Sequence, residues 1–110
     1  MNSADIKREI LRSSDKTGIR KRLVSGEAGL DSNDIIEIGV AFKSLVQHKG
    51  WSYVEAYILK NANPVGLLFG ADDPLLRGKA QALILLMQYV QQTILAAEDL
   101  LAKENATREK

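Results

Sequence analysis

From Leu76 onward apolar residues recur at alternating steps of four and three: Ala80, Leu83, Met87, Val90, Ile94, Ala97 and Leu101. Such a heptad, coiled-coil-like seam belongs to a helix that lies along another helix. A second stripe runs beside it through Ala82, Leu86, Tyr89, Thr93, Ala96 and Leu100. Together the stripes make a face broader than a two-stranded coil requires, so this helix is expected to touch at least two neighbours. One is the 34–61 stretch folded back on it, and the other is expected from a second subunit. Asp72-Asp73-Pro74 is a start signal, an aspartate cap followed by proline in the first turn. No proline follows, and the helix is expected to run to about Asn105, roughly 48 Å at 1.5 Å per residue.

The remaining pattern predicts shorter helices. Ser3 can cap a helix over 4–13, with Asp5 in its first turn and Ile6 and Ile10 on one side. Ser13, Ser14, Asp15 and Gly18 interrupt it before a basic piece, Gly18-Ile19-Arg20-Lys21-Arg22-Leu23, and Ser25, Gly26 and Gly29 read as a linker. A further helix starts with Asp31 or Ser32 as cap and carries Ile35, Ile38, Phe42 and Leu45 on one face. Gly39 weakens it by about 1 kcal/mol relative to alanine, and lets another helix come close. His48-Lys49-Gly50 reads as an end or kink. The next helix, from Trp51, sets Val54 and Ile58 on the side of Trp51 and Tyr53 and Tyr57 on a neighbouring face. Asn63-Pro64 ends it, and Val65-Gly66-Leu67-Leu68-Phe69-Gly70 is expected to be a buried turn across the end of a hairpin.

The chain of 110 residues fits one small domain. Its 15 basic and 14 acidic side chains nearly cancel, which excludes a polyanion binder of uniform charge. The balance conceals an asymmetry: residues 1–30 hold seven basic and four acidic side chains, and residues 31–73 three basic and six acidic. With no cysteine, disulfides, thiolate nucleophiles and cysteine-ligated metals are out. The polar start is no secretory signal, and no apolar run approaches the roughly 18 residues of a membrane span. A soluble, intracellular protein without membrane contact is the expectation from these features.

Chemistry has few handholds. His48 is the single histidine and has no second ligand for a metal, so a helix-end role outweighs that of a general base. Asp72-Asp73 fits capping better than cation binding. Glu98-Asp99 reads as a solvated patch. The glycines of Gly66-Leu67-Leu68-Phe69-Gly70 lack the lysine of a phosphate loop. Trp51, Tyr53 and Tyr57 could stack bases, although helical spacing favours core packing for Trp51. The best functional candidate is the basic piece Lys16, Arg20, Lys21 and Arg22, extended by Lys7, Arg8 and Arg12. It could neutralise phosphates in a salt-dependent way, or dock on the acidic middle of a neighbouring subunit. Catalytic residues, cofactors and metals are not implied, and the chain reads as a non-enzyme.

Leu45-Val46-Gln47-His48-Lys49-Gly50-Trp51, followed by Leu76-Arg77-Gly78 with Ala80, Leu83 and Leu86, resembles a group of small helical proteins encoded in tailed-bacteriophage genomes. In that group a leucine-rich stretch leads to a glycine-tryptophan element, a break and a long helix with an early leucine-x-glycine step. The resemblance covers about residues 42–101 and departs at Lys49, where such proteins often have proline, and in the apolar 64–69 insert. It implies a virion, assembly or host-interaction component and carries no catalytic residues.

The expected fold is therefore all-α: an antiparallel helical hairpin or bundle with one long C-terminal helix, completed by oligomerisation. Residues 1–31 are expected as a basic, partly helical, loosely held arm, 32–105 as the hairpin and 106–110 as a disordered tail. The expected function is that of a phage-type structural or assembly protein acting as a homo-oligomer or docked on a larger assembly. Its expected interface is Leu76, Ala80, Leu83, Met87, Val90, Ile94, Ala97 and Leu101. The alternative is a nucleic-acid-binding accessory protein that uses Lys16, Arg20, Lys21 and Arg22.

Overall fold

A computed structural model describes residues 3–61 and 74–108. Among them every regular element is helical: α1 (Ser3–Ser13), a 3-10 turn (Ser14–Thr17), α2 (Ile19–Ser25), α3 (Ser32–Gln47), α4 (Lys49–Asn61) and α5 (Pro74–Arg108). The breaks fall where local chemistry demands them. Gly18 and Gly26 bound α2 in the left-handed region, with φ of 76° and 87°, a conformation that glycine adopts without steric cost. Asp31 caps α3 by accepting the Asn33 N–H. His48 leaves the helical region at ψ 140°, and its Nδ1 accepts the Gly50 N–H at 2.9 Å. The histidine thus ends α3 and caps α4, in keeping with the helix-end expectation.

The contacts along α5 order these pieces into three rods. Partners on α1, the 3-10 turn and α2 climb with α5: Ser13 meets Gln88, Ser14 meets Gln92, and Arg20 meets Asp99. Partners on α3 descend: Ile35 packs with Leu100, Gly39 lies on Ala97, and Phe42 meets Tyr89 edge-on at 5.9 Å. The chain is thus an up-down-up bundle, with α1 to α2 as the first rod, α3 and α4 as the second and α5 as the third. α5 rises about 52 Å over its length and spans most of the molecule's 56 Å long axis.

Three core layers stack along α5. Ile6, Ile10, Ile58, Leu59 and Met87 join α1, α4 and α5 at one end. Trp51, Val90 and Ile94 fill the middle with Phe42 against them. Leu23, Ile35, Ala96 and Leu100 close the other end. The heptad seam of α5 is the core itself: Ala80, Met87, Val90, Ile94 and Ala97 are buried, and Leu83 and Leu101 are half-buried. Leu76 lies outside the residues whose side chains are described.

Several expectations are corrected by this arrangement. The predicted oligomer seam is core at Met87, Val90, Ile94 and Ala97, because α3 and α4 take one flank of α5 there and the first rod takes the other. The neighbour expected from a second subunit for the second stripe is supplied by α2, whose Leu23 packs on Ala96 and Leu100. Residues 3–25 are no loose arm: Ile6, Ile10 and Leu23 are core residues. The helix continues to Arg108, so positions 106–108 are not a coil. The turn expected at Val65-Gly66-Leu67-Leu68-Phe69-Gly70 and the cap at Asp72-Asp73 lie outside the described residues.

Gly39 sets the spacing between the second rod and α5. A Cβ placed there would stand 2.2 Å from the Ala97 Cβ and 3.0 Å from the Thr93 carbonyl oxygen. Neither neighbour can swing away, so the helices must separate. Gly39→Ala is expected to destabilise the fold by about 1–3 kcal/mol despite its better helix propensity. Gly78→Ala, with nothing within 4 Å of the new methyl group, is expected to stabilise by up to about 1 kcal/mol. Urea denaturation of the two variants checks both signs.

Candidate functional site

The basic residues singled out in the sequence are spread over the first rod and mostly paired. Arg20 binds Asp99 through two hydrogen bonds, Nε to Oδ2 and Nη2 to Oδ1, each 2.6 Å. Asp99 belongs to the pair expected as a solvated patch; instead it locks α2 to α5, and Glu98 reaches Lys43 at 3.5 Å. Lys7 meets Glu55 of α4 at 2.8 Å, Arg12 meets Glu9 at 2.7 Å and Arg8 meets Asp5 at 3.7 Å. Arg22 turns back on its own chain, donating to the Thr17 and Gly18 carbonyls. Lys16 and Lys21 are exposed and form no ion pair among the described residues. Of the four candidates Lys16, Arg20, Lys21 and Arg22, only Arg20 is in an ion pair among the described residues.

Between the first rod and α5 runs a polar seam that the apolar pattern concealed. Gln88 Nε2 donates to the Ile10 carbonyl at 3.1 Å and to Ser13 Oγ at 3.2 Å. Gln92 Nε2 donates to Ser14 Oγ at 2.7 Å and to Asp15 Oδ1 at 3.1 Å. Ser14 Oγ in turn donates to the Leu11 carbonyl at 2.5 Å. Gln88, Gln92 and Ser14 are buried, and a buried polar group without a partner is costly. The seam therefore fixes the register of the first rod, since sliding it by one turn would orphan these groups. Beside it a cleft of about 480 Å³ is lined by Asp15, Arg20, Lys21, Gln92 and Asp99 among others. Two of its charges engage one another: the Arg20 hydrogen bond holds the Asp99 carboxyl below the usual carboxylate range, against the opposing effect of partial burial.

The remaining chemistry is at the surface. Among the described residues no three of His, Asp and Glu converge as a metal site would require, and no helix is long and apolar enough to cross a membrane. Trp51 is buried as expected, whereas Tyr53 and Tyr57 stand 66% and 62% exposed. These two tyrosines lie one turn apart on the outer side of α4, opposite the Trp51–Ile58 edge that faces α5. Lys49 and Lys60 extend the same stripe at each end, and Val54 flanks it. The single acid of α4, Glu55, is turned to Lys7. On α5 the second stripe splits: Thr93, Ala96 and Leu100 are core, while Ala82 and Leu86 are uncovered, with Leu85 beside them. Single exposed apolar residues are ordinary, but a tyrosine pair framed by lysines has the composition of an interaction surface.

Helical spacing in the sequence had already separated Tyr53 and Tyr57 from the Trp51 face. Their exposure was not legible there, because it depends on which side of α4 meets α5. No protein family, curated protein or solved structure matches the chain.

The Arg20–Asp99 bridge gives the fold a defined acid response. The depressed Asp99 carboxyl contributes stability that is present above the ordinary aspartate range near pH 3.9 and is lost as pH falls through the lower folded-state value. Asp99→Asn should lower stability at pH 7 by about 1 kcal/mol or less, since both partners are partly solvated. It should also flatten the loss of stability below about pH 4, as read from urea midpoints across pH.

Proposed function

We propose that the chain is a non-enzymatic structural or assembly protein of phage type that works by docking through the outer face of its second rod. The observation that carries this reading is the pair Tyr53 and Tyr57, held exposed on a rigid helix whose other edge is core. Tyrosine supplies large contact area at low conformational cost and is enriched where proteins bind one another. The resemblance of residues 42–101 to small helical phage proteins supports the same class. The interface assigned from sequence to the seam moves with it, from Leu83, Met87, Val90 and Ile94 to side chains that face outward. Rigidity favours the arrangement, because a surface built on a packed helix loses little freedom when it binds.

A photo-reactive phenylalanine analogue in place of Tyr57, with Ala102 on exposed α5 as the control position, tests the assignment. Cross-linking in producing cells should yield an adduct of defined mass from position 57 and none from position 102. Adducts at neither position, or at both equally, would remove the outer face of the second rod as the working surface.

A further inference from the structure

The cleft between the first rod and α5 holds polar groups that the fold leaves unused. Gln92 lines it although the residue is only 1% exposed. Both hydrogens of its Nε2 are spent, one on Ser14 Oγ and one on Asp15 Oδ1. An ionised carboxylate only accepts hydrogen bonds, so Asp15 fixes which end of the amide is the nitrogen. The other end, Oε1, accepts nothing among the described residues. No enclosed side-chain nitrogen or oxygen among those residues lacks a partner. The small open area of Gln92 is therefore at this oxygen, and it faces the cleft. Asp15 gives one carboxylate oxygen to Gln92 and forms no ion pair among the described residues. Lys21 of α2 lines the same cleft, also without an ion pair among them. Arg20 and Asp99 complete the charged lining but hold each other through two hydrogen bonds.

We infer that this cleft binds an aliphatic α-amino acid as its zwitterion. The ligand's ammonium donates to Gln92 Oε1 and to the Asp15 carboxylate, and its carboxylate accepts from Lys21 Nζ. Such charge-assisted hydrogen bonds are the stronger kind. The lining selects the class. Two acids, Asp15 and Asp99, face two bases, Arg20 and Lys21, so a neutral ligand carrying both signs leaves no charge unmatched. A phosphate would pair with Lys21 but meet the Asp15 carboxylate and the lone pairs of Gln92. A metal ion or a simple amine would take those two and meet the Lys21 ammonium. Val24, 37% exposed, is the apolar side chain of the lining and gives an aliphatic side chain its contact. The volume of about 480 Å³ falls within the roughly 300–1,000 Å³ of small-molecule sites. A buried acceptor also discriminates, because a ligand without the ammonium leaves Gln92 Oε1 unpaired. The cleft lies on the flank of α5 away from the second rod, so this inference stands independently of the docking surface.

Titration calorimetry on the full chain tests it, with L-alanine, L-valine and L-leucine each taken to about 10 mM so that dissociation constants of about 1 mM register. At least one should bind saturably, and the Gln92 side-chain amide resonances of nitrogen-15-labelled protein should shift along the same curve. The N-acetyl and amide derivatives of the amino acid that binds lack the ammonium and the carboxylate, and each should bind about tenfold or more weakly. Asp15→Asn, which keeps an acceptor for Gln92, and Lys21→Met should each weaken binding about tenfold, with circular dichroism confirming that both variants stay helical. Absence of saturable binding by all three amino acids would overturn the inference. So would binding that leaves the Gln92 resonances unmoved, or binding indifferent to the two derivatives or to the loss of charge at Lys21.

Discussion

The close approach of α3 to α5 at Gly39 governs the rest of the bundle. Because glycine offers no side chain there, the Ala97 methyl group and the Thr93 carbonyl lie where a Cβ would otherwise stand. That approach brings Ile35 onto Ala96 and Leu100 on one side and Phe42 onto Tyr89 on the other. Alanines at 96 and 97 are the counterpart, since larger residues would fill the same space. The cost of glycine inside a helix, about 1 kcal/mol, is offset by burial of the surrounding aliphatic side chains, each contributing about 1.5–3 kcal/mol when fully removed from water.

The two flanks of α5 are held by different physics. The second rod is joined mainly by apolar packing, with Trp51 and Ile58 as its anchors. The first rod combines three apolar anchors, Ile6, Ile10 and Leu23, with a hydrogen-bonded line from Ser13 to Asp15 and an ion pair at Arg20. Apolar contact is tolerant of sliding, whereas each hydrogen bond of the polar line has one satisfactory register. The polar seam therefore adds specificity to a contact that hydrophobic burial alone would leave loose. Two of the seven basic side chains read from the sequence as an arm serve this attachment: Arg20 and Lys7 bridge to α5 and α4.

With Met87, Val90, Ile94 and Ala97 buried inside the bundle, the proposed docking surface is the outward side of the second rod. The broken helix there follows from His48, which ends α3 and starts α4 within a few residues. The break divides the rod between Glu37 on its first half and Lys60 on its second, both exposed. A single local feature thus relates the fold to the proposed interface.

By itself the sequence determined the helices, their breaks and the broad apolar face of α5, because these depend on periodicity, caps and glycines that act within a few residues. It also pointed to the close approach at Gly39, to His48 as a helix end and to Trp51 as core. Which helix covers which stripe was decided only by the tertiary structure. A heptad seam looks the same whether its partner comes from the same chain or another, so Met87, Val90 and Ile94 could not announce that they face inward. Nor could Arg20 show that its carboxylate is Asp99, 79 residues away, or Gln92 that it meets Ser14. Long-range pairs depend on how the rods are laid side by side. The exposure of Tyr53 and Tyr57 has the same origin, since only the side of α4 that meets α5 fixes the side left to solvent.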